Sequence, residues 1–207
     1  MGSARSSGTR CSASSRRSSP SLGGILYVIA GPSGVGKGTV VARVRELLPD
    51  LRVSVSVTTR RPRPTERDGV DYSFVGEEDF DGMVERGELL EWAEIFGHRS
   101  GTPSRPIDEA LAEGRDVLLE IDVQGARQVR EARPDAVLIF LEPPSLAELE
   151  RRLRTRATED EEKLQRRLAK AAWEGSQRDL FDHVVVNDDL RSASSQVAAI
   201  IGAPRTA

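Results

Sequence analysis

A three-layer α/β fold with a central parallel sheet is the architecture this sequence predicts. Three observations point there. The apolar run Ile25-Leu26-Tyr27-Val28-Ile29-Ala30 leads into the glycine-rich stretch Gly31–Thr39, after which Val40, Val41, Val44, Leu47 and Leu48 fall at the spacing of one helix face. Further apolar runs, Val117–Ile121 and Ala136–Leu141, are each followed by a helical stretch, the alternation of a sheet covered on both faces. Between residues 56 and 103 this alternation breaks into short mixed elements, which reads as an insertion.

Taken in order, the first strand, Ile25–Ala30, and the first helix flank the stretch Gly31-Pro32-Ser33-Gly34-Val35-Gly36-Lys37-Gly38-Thr39. A glycine turn between a buried strand and a helix, with a lysine at its end, is the setting of a phosphate-binding P-loop. Its N–H groups and the helix N-terminus favour anions, and Lys37 adds a full charge. Gly38 stands where a Ser or Thr would reach Mg²⁺, so either Thr39 substitutes or water completes the metal shell. Leu51–Val57 alternates and predicts a second strand. The loop Thr58–Pro64 is basic and proline-punctuated; Asp71–Val75 predicts a short strand, Glu77–Glu85 a helix, Leu89–Phe96 a strand and Gly97–Pro103 a loop. Then come a helix over Ser104–Glu113, the buried strand Val117–Ile121, a helix over Gln124–Glu131 and the buried strand Ala136–Leu141. Ser145, after a double proline, is placed to N-cap a helix carrying Leu146, Leu149 and Leu153 on one face. A turn over Thr155–Asp160 precedes a long charged helix ending near Arg178; Val184–Val186 and Gln196–Ile201 predict a last strand and helix.

Hydrophobic residues form 38% of the 207, enough for a core, and the net charge of −3 gives no support to nucleic-acid binding. No apolar run nears the ~20 residues of a membrane span, so neither nucleic acid nor membrane is an expected partner. Cys11 is the only cysteine, which excludes a disulfide framework and a cysteine metal site; His98 and His183 stand alone. Residues 1–22 hold nine serines and four arginines with no acid, so the remainder carries −7, that is −3 minus 4. That composition suits a disordered extension better than a transit peptide, because an amphipathic apolar face is missing. The expected location is cytoplasmic.

Several charged residues point to a second substrate. Arg60 and Arg63 share one loop, and guanidinium forks suit a nucleotide monophosphate. Glu91 follows Leu89-Leu90, and Asp122 sits at the C-terminal end of a strand, outside which ligands bind in open α/β sheets. A carboxylate accepts the N1 and N2 hydrogens of guanine, whereas adenine presents an acceptor at N1. Arg151, Arg152, Arg154 and Arg156, with Arg166 and Arg167, flank a hinge-like turn, as a mobile arginine-bearing lid would.

These residues together resemble the guanylate kinase family. The likeness is carried by GPSGVGKGT at 31–39, SVSVTTRRPRPTERDGVDYSFV at 54–75, GELLEWAEIFGHRSGT at 87–102, LLEIDVQGARQVR at 118–130, FLEPPS at 140–145, RLRTRATEDEEKLQRRL at 152–168 and VVVNDDL at 184–190. It implies reversible transfer of the γ-phosphoryl group of MgATP to GMP, and to dGMP, giving ADP and GDP. It implies that Ser56, Glu91, Thr102 and Asp122 surround guanine and that Arg60, Arg63 and Tyr72 hold the GMP phosphate. It further implies that Lys37 and the amides of Gly31–Thr39 hold ATP phosphates, that Arg152, Arg156 and Arg167 are lid and transition-state arginines, and that Asn187 lies near adenine. The implied layout is a P-loop core (23–55, 104–142 and 168–207), a GMP-binding α+β insertion (56–103) and a small helical lid (143–167). The chain departs from the family pattern at Arg99-Ser100-Gly101-Thr102, where Tyr-Gly is common before the Ser or Thr; Ser100 is too short to replace a tyrosine hydroxyl, so weaker GMP binding or compensation by Arg99 is expected. Guanylate kinase-like modules that bind peptides without catalysis are the alternative reading.

Overall fold

The computed structural model describes residues 23–95, 97–156 and 161–203. The expected 1–22 extension and most of the 155–160 turn lie outside the described residues, as does the side chain of Arg156.

The core is a five-stranded parallel sheet. In chain order its strands are β1 (Leu26–Ala30), β2 (Arg52–Val53), β7 (Val117–Glu120), β8 (Val137–Glu142) and β9 (His183–Val186), and across the sheet they run β2-β7-β1-β8-β9. Side chains alternate across each strand, so each face carries its own apolar layer. Val28, Leu119, Leu138 and Phe140 pack with Ile107 of α3 (Ser104–Ala112) and Val129 of α4 (Val123–Ala132). Tyr27, Ile29, Leu118 and Ile139 pack with Val40 and Val44 of α1 (Lys37–Leu47) and Val197 of α7 (Leu190–Ile201). The crossover from β1 through α1 to β2 and the one from β7 through α4 to β8 run on opposite faces of the sheet and in opposite directions across it, which opens a crevice at the C-terminal ends of β1 and β7.

The expected strand Leu51–Val57 is two strands. Arg52–Val53 pairs with β7, and β3 (Val57–Thr58) belongs to a second sheet, because the chain leaves the core beyond Ser54. That sheet has the order β4-β3-β6-β5, with β4 (Ser73–Phe74), β5 (Leu89–Ile95) and β6 (His98–Pro103). The stretch expected to be a loop, Gly97–Pro103, is therefore mostly a strand. Its own residues carry little β signal, and β3 and β5 on either side supply the pairing. Helix α2 (Glu77–Glu85) matches expectation and seats Phe80 against Trp92 of β5.

Helix α5 (Leu146–Arg156) is N-capped by Ser145, whose Oγ accepts from the Glu148 N–H at 3.1 Å. Leu149 and Leu153 pack against Leu164 and Ala171 of α6 (Glu161–Ser176), whereas Leu146, in the first turn, is exposed. Helix α6 ends two residues before Arg178, which starts a short 3-10 turn. Helix α7 begins six residues before the expected Gln196. Asp189 caps it by accepting from Ser192 N–H at 2.8 Å, and burial of Ala193 outweighs the weak propensity of its serines.

Candidate active site

The crevice is a cleft of about 1430 Å³ lined by the loop after β1, the end of β7, the second sheet and α6. It exceeds the ~300–1,000 Å³ of a single-ligand pocket.

The loop forms its floor. Gly36 caps α1 with φ 99°, and a Cβ there would stand 2.7 Å from Asn187 Nδ2. Only glycine fits both demands. The Asn187 Nδ2 donates to Val35 O at 2.8 Å, so this buried asparagine braces the loop from behind. The Lys37 Nζ donates to Gly31 O (2.6 Å) and Pro32 O (3.3 Å), which folds the ammonium over its own loop. Burial pulls its pKa below the ordinary value, and Glu120, Glu174 and Asp122 oppose that. Arg152 does not line the cleft: its guanidinium donates to Glu148 (2.8 Å), Val35 O (3.4 Å) and Asn187 O (3.0 Å). Arg167 does line it.

Opposite the loop, the second sheet presents Glu91. A register shift between Leu89 and Glu91 sets its direction, and the alternation along β5 then turns Glu91 and Ala93 inward and Trp92 outward. Glu91 is 4% exposed and accepts from Thr102 Oγ1 at 2.5 Å; Ser56 Oγ lies 3.3 Å from that hydroxyl. Burial pushes the Glu91 carboxyl up to about 7, against the Thr102 hydrogen bond and with some help from the Asp122 charge. Asp122 N-caps α4, its Oδ1 accepting from Gly125 N–H at 2.9 Å. The structure thus brings Ser56, Glu91, Thr102 and Asp122 to one side of the cleft.

Arg60 is held flat. It makes a two-pronged pair with Glu66 at 2.7 Å each and lies 4.8 Å over the Tyr72 ring. Arg63 is looser, its exposed guanidinium 3.6 Å from Glu66. Arg99 points away from the cleft onto Glu77 and Asp81 of α2, because it alternates with the inward Ser100. It therefore does not compensate for Ser100, whose own hydroxyl donates to Thr58 Oγ1 at 3.0 Å.

Five residues of this site were not read from the sequence. Glu120 ends β7 two residues before Asp122 and lines the same cleft, and the period of two in an extended chain points to it. Lys170 and Glu174 continue the helix face of Arg167 at three- and four-residue steps. Glu66 organises both loop arginines. Gly125 lets α4 approach Glu91: a Cβ there would sit 2.9 Å from Glu91 Cδ and nearer still to Oε2. Neither of these last two carries a periodic signal.

A phosphate loop facing an arginine–carboxylate pocket across one cleft, beside a two-helix flap, is the layout of a P-loop protein built for two anionic ligands. The chain belongs to the guanylate kinase family: the family model described as guanylate kinase matches residues 24–204. It is 56% identical over 179 residues to the guanylate kinase of Nocardia farcinica, covering 86% of this chain and 93% of that one. Against the guanylate kinase of Thermus thermophilus it is 54% identical over 182 residues, covering 88% and 82%. The crystal structure of guanylate kinase from Anaplasma phagocytophilum superimposes with a TM-score of 0.72 at 34% identity, covering 87% of this chain and 85% of that one.

Proposed function

We propose that this protein transfers the γ-phosphoryl group of ATP reversibly to GMP or dGMP, giving ADP and the diphosphate, as an enzyme of purine nucleotide metabolism in the cytoplasm. The observation that carries this reading is the buried Glu91 carboxylate, flanked by Thr102 and Ser56 and facing the Lys37 loop across the cleft. Guanine offers two adjacent N–H donors to such a carboxylate; adenine does not. A peptide-binding module requires neither this pocket nor the lysine loop.

In this reading the amides of Gly31–Thr39 and Lys37 cradle ATP phosphates, with Asn187 near the adenine. Arg60, Arg63 and Tyr72 take the GMP phosphate. Residues 56–103 form the acceptor-binding insertion and 143–167 the lid. The acceptor oxygen is already anionic, so catalysis is positioning plus charge stabilisation, with no general base. Lys37 and Arg167 supply charge from the cleft walls. Arg152 reaches the phosphates only by leaving Val35 O and Asn187 O, which assigns it to the closed state with Arg156. Closure excludes water that would hydrolyse ATP.

The donor set fits Mg²⁺ carried by the phosphates. Among the described residues no group of three or more His, Cys, Asp or Glu side chains forms a protein-only metal site, and Mg²⁺ commonly keeps several waters. Glu120 or Thr39 would hold that water shell: Glu120 Oε1 is 3.5 Å from where a Gly38 Cβ would stand, and Thr39 also borders the cleft, which supports either role. When bound, the ion neutralises charge on the β- and γ-oxygens. The test is to incubate the purified protein with ATP and GMP and separate the products. ADP and GDP in equal amounts are expected; ATP hydrolysis without GDP would sink the reading.

A further inference from the structure

Helix α6 runs from the flap down into the cleft, and there it touches Asp122. The Lys170 Nζ donates to Asp122 Oδ2 at 3.0 Å, and Gln124 Nε2 donates to the same oxygen at 3.1 Å, while Gly125 N–H fixes Oδ1. The carboxylate is therefore held at both ends, and its side chain is 10% exposed. Lys170 is itself held in place. Glu174, one turn further along α6, has Oε1 3.9 Å from Nζ, and its Oε2 is buried with no hydrogen-bond partner. A side chain only 2% exposed with an unpaired carboxylate oxygen favours a cation beside it. Lys170 therefore stays in the cleft, between two carboxylates, instead of extending into solvent.

We propose that Lys170 is a positioning residue for the acceptor nucleotide: it orients Asp122 toward guanine and ties that carboxylate to α6, the helix that carries Arg167. Three consequences follow from the geometry. The contact links the floor of the acceptor pocket to the flap, so occupying one biases the other. With Lys170 and Gln124 on Oδ2 and the Gly125 N–H on Oδ1, the Asp122 carboxylate is fixed in one orientation as an acceptor of N–H donors. Lys170 acts through Asp122, so its effect disappears once the Asp122 carboxylate is replaced. This inference rests on the guanine-site reading above.

The experiment is a double-mutant cycle on KM for GMP and for ATP, using Lys170→Met, Asp122→Asn and the pair, with Lys170→Arg as the conservative control and Glu91→Gln as an independent check of the guanine site. Lys170→Met should raise KM for GMP about tenfold, the scale of one lost charge-assisted hydrogen bond, and leave KM for ATP within about twofold. Lys170→Arg should restore most of the loss. In the Asp122→Asn background Lys170→Met should change nothing further. An unchanged KM for GMP, or the same increase in both backgrounds, overturns the proposal while a raised KM in Glu91→Gln leaves the guanine site standing. If Glu91→Gln and Asp122→Asn both leave KM for GMP unchanged, the guanine-site reading itself fails. Should Lys170→Met melt below the assay temperature, Lys170→Gln carries the same cycle.

Discussion

Glu91 makes GMP binding depend on pH in a range where exposed carboxylates no longer titrate. Burial raises its carboxyl to about 7 in the free cleft. Guanine N–H donors bind the ionised form, so below that value each binding event must first release a proton. KM for GMP should then stand about 11-fold above its alkaline plateau at pH 6, about 2-fold at pH 7 and about 1.1-fold at pH 8. The second ionisation of the GMP phosphate, with a pKa of ~6, adds about a factor of two at pH 6 and about four at pH 5.5. The assay is ADP release at saturating ATP from pH 5.5 to 8.5, on the wild type and on Glu91→Gln. The variant should raise KM at pH 8 about 100-fold, because the amide offers one acceptor and sets its own N–H₂ against a guanine donor. It should keep only the shallow phosphate dependence. A wild-type KM that is flat between pH 6 and 8, or a Glu91→Gln profile as steep as the wild type, would refute this account of the pocket.

Other outcomes test neighbouring contacts. Gly125→Ala pushes a Cβ into the Glu91 carboxyl and should raise KM for GMP at least tenfold with KM for ATP unchanged, in the same steady-state assay. Glu66→Gln releases Arg60 from its two-pronged pair and should raise KM for GMP by about fivefold; titration calorimetry with GMP alone reads the same loss. Lys37→Met should lower kcat by about 10²–10³ with a smaller change in KM for GMP, seen in single-turnover measurements. Glu91 and Glu174 both sit near 7, above the ordinary 4.5, so folding favours their protonated forms, and their contribution to stability falls as pH rises from 4.5 to 7. Thermal melts should accordingly show Glu91→Gln more stable than the wild type at pH 8, with the difference closing at pH 5.

The buried strands and the loop between β1 and α1 were legible because parallel strands covered on both faces read as continuous apolar runs, and because glycine and lysine spacing in a phosphate loop has a backbone cause. The second sheet was harder. His98–Pro103 looks like a loop until β3 and β5 are seen on either side, and Leu51–Val57 carries one alternating pattern although its two halves serve different sheets. Long-range pairing leaves no local trace. Within the site, Glu91 and Asp122 were found from strand ends and base chemistry. Glu66 and Gly125 could not be, since one acts through a loop arginine and the other by leaving space. Glu120, Lys170 and Glu174 do carry a periodic signal, but Glu120 is a single acid closing an apolar strand and the other two belong to a helix rich in charge, so the pattern alone does not set them apart.

The central claim is that one cleft holds ATP on the Lys37 loop and selects guanine at Glu91 and Asp122. The ratio of kcat/KM for GMP to that for AMP, with ATP as donor, tests it most directly. Leaving a buried carboxylate unpaired against adenine predicts a ratio of at least about 10⁴, falling by about two orders of magnitude in Glu91→Gln. Comparable turnover of the two nucleotides by the wild type would contradict it.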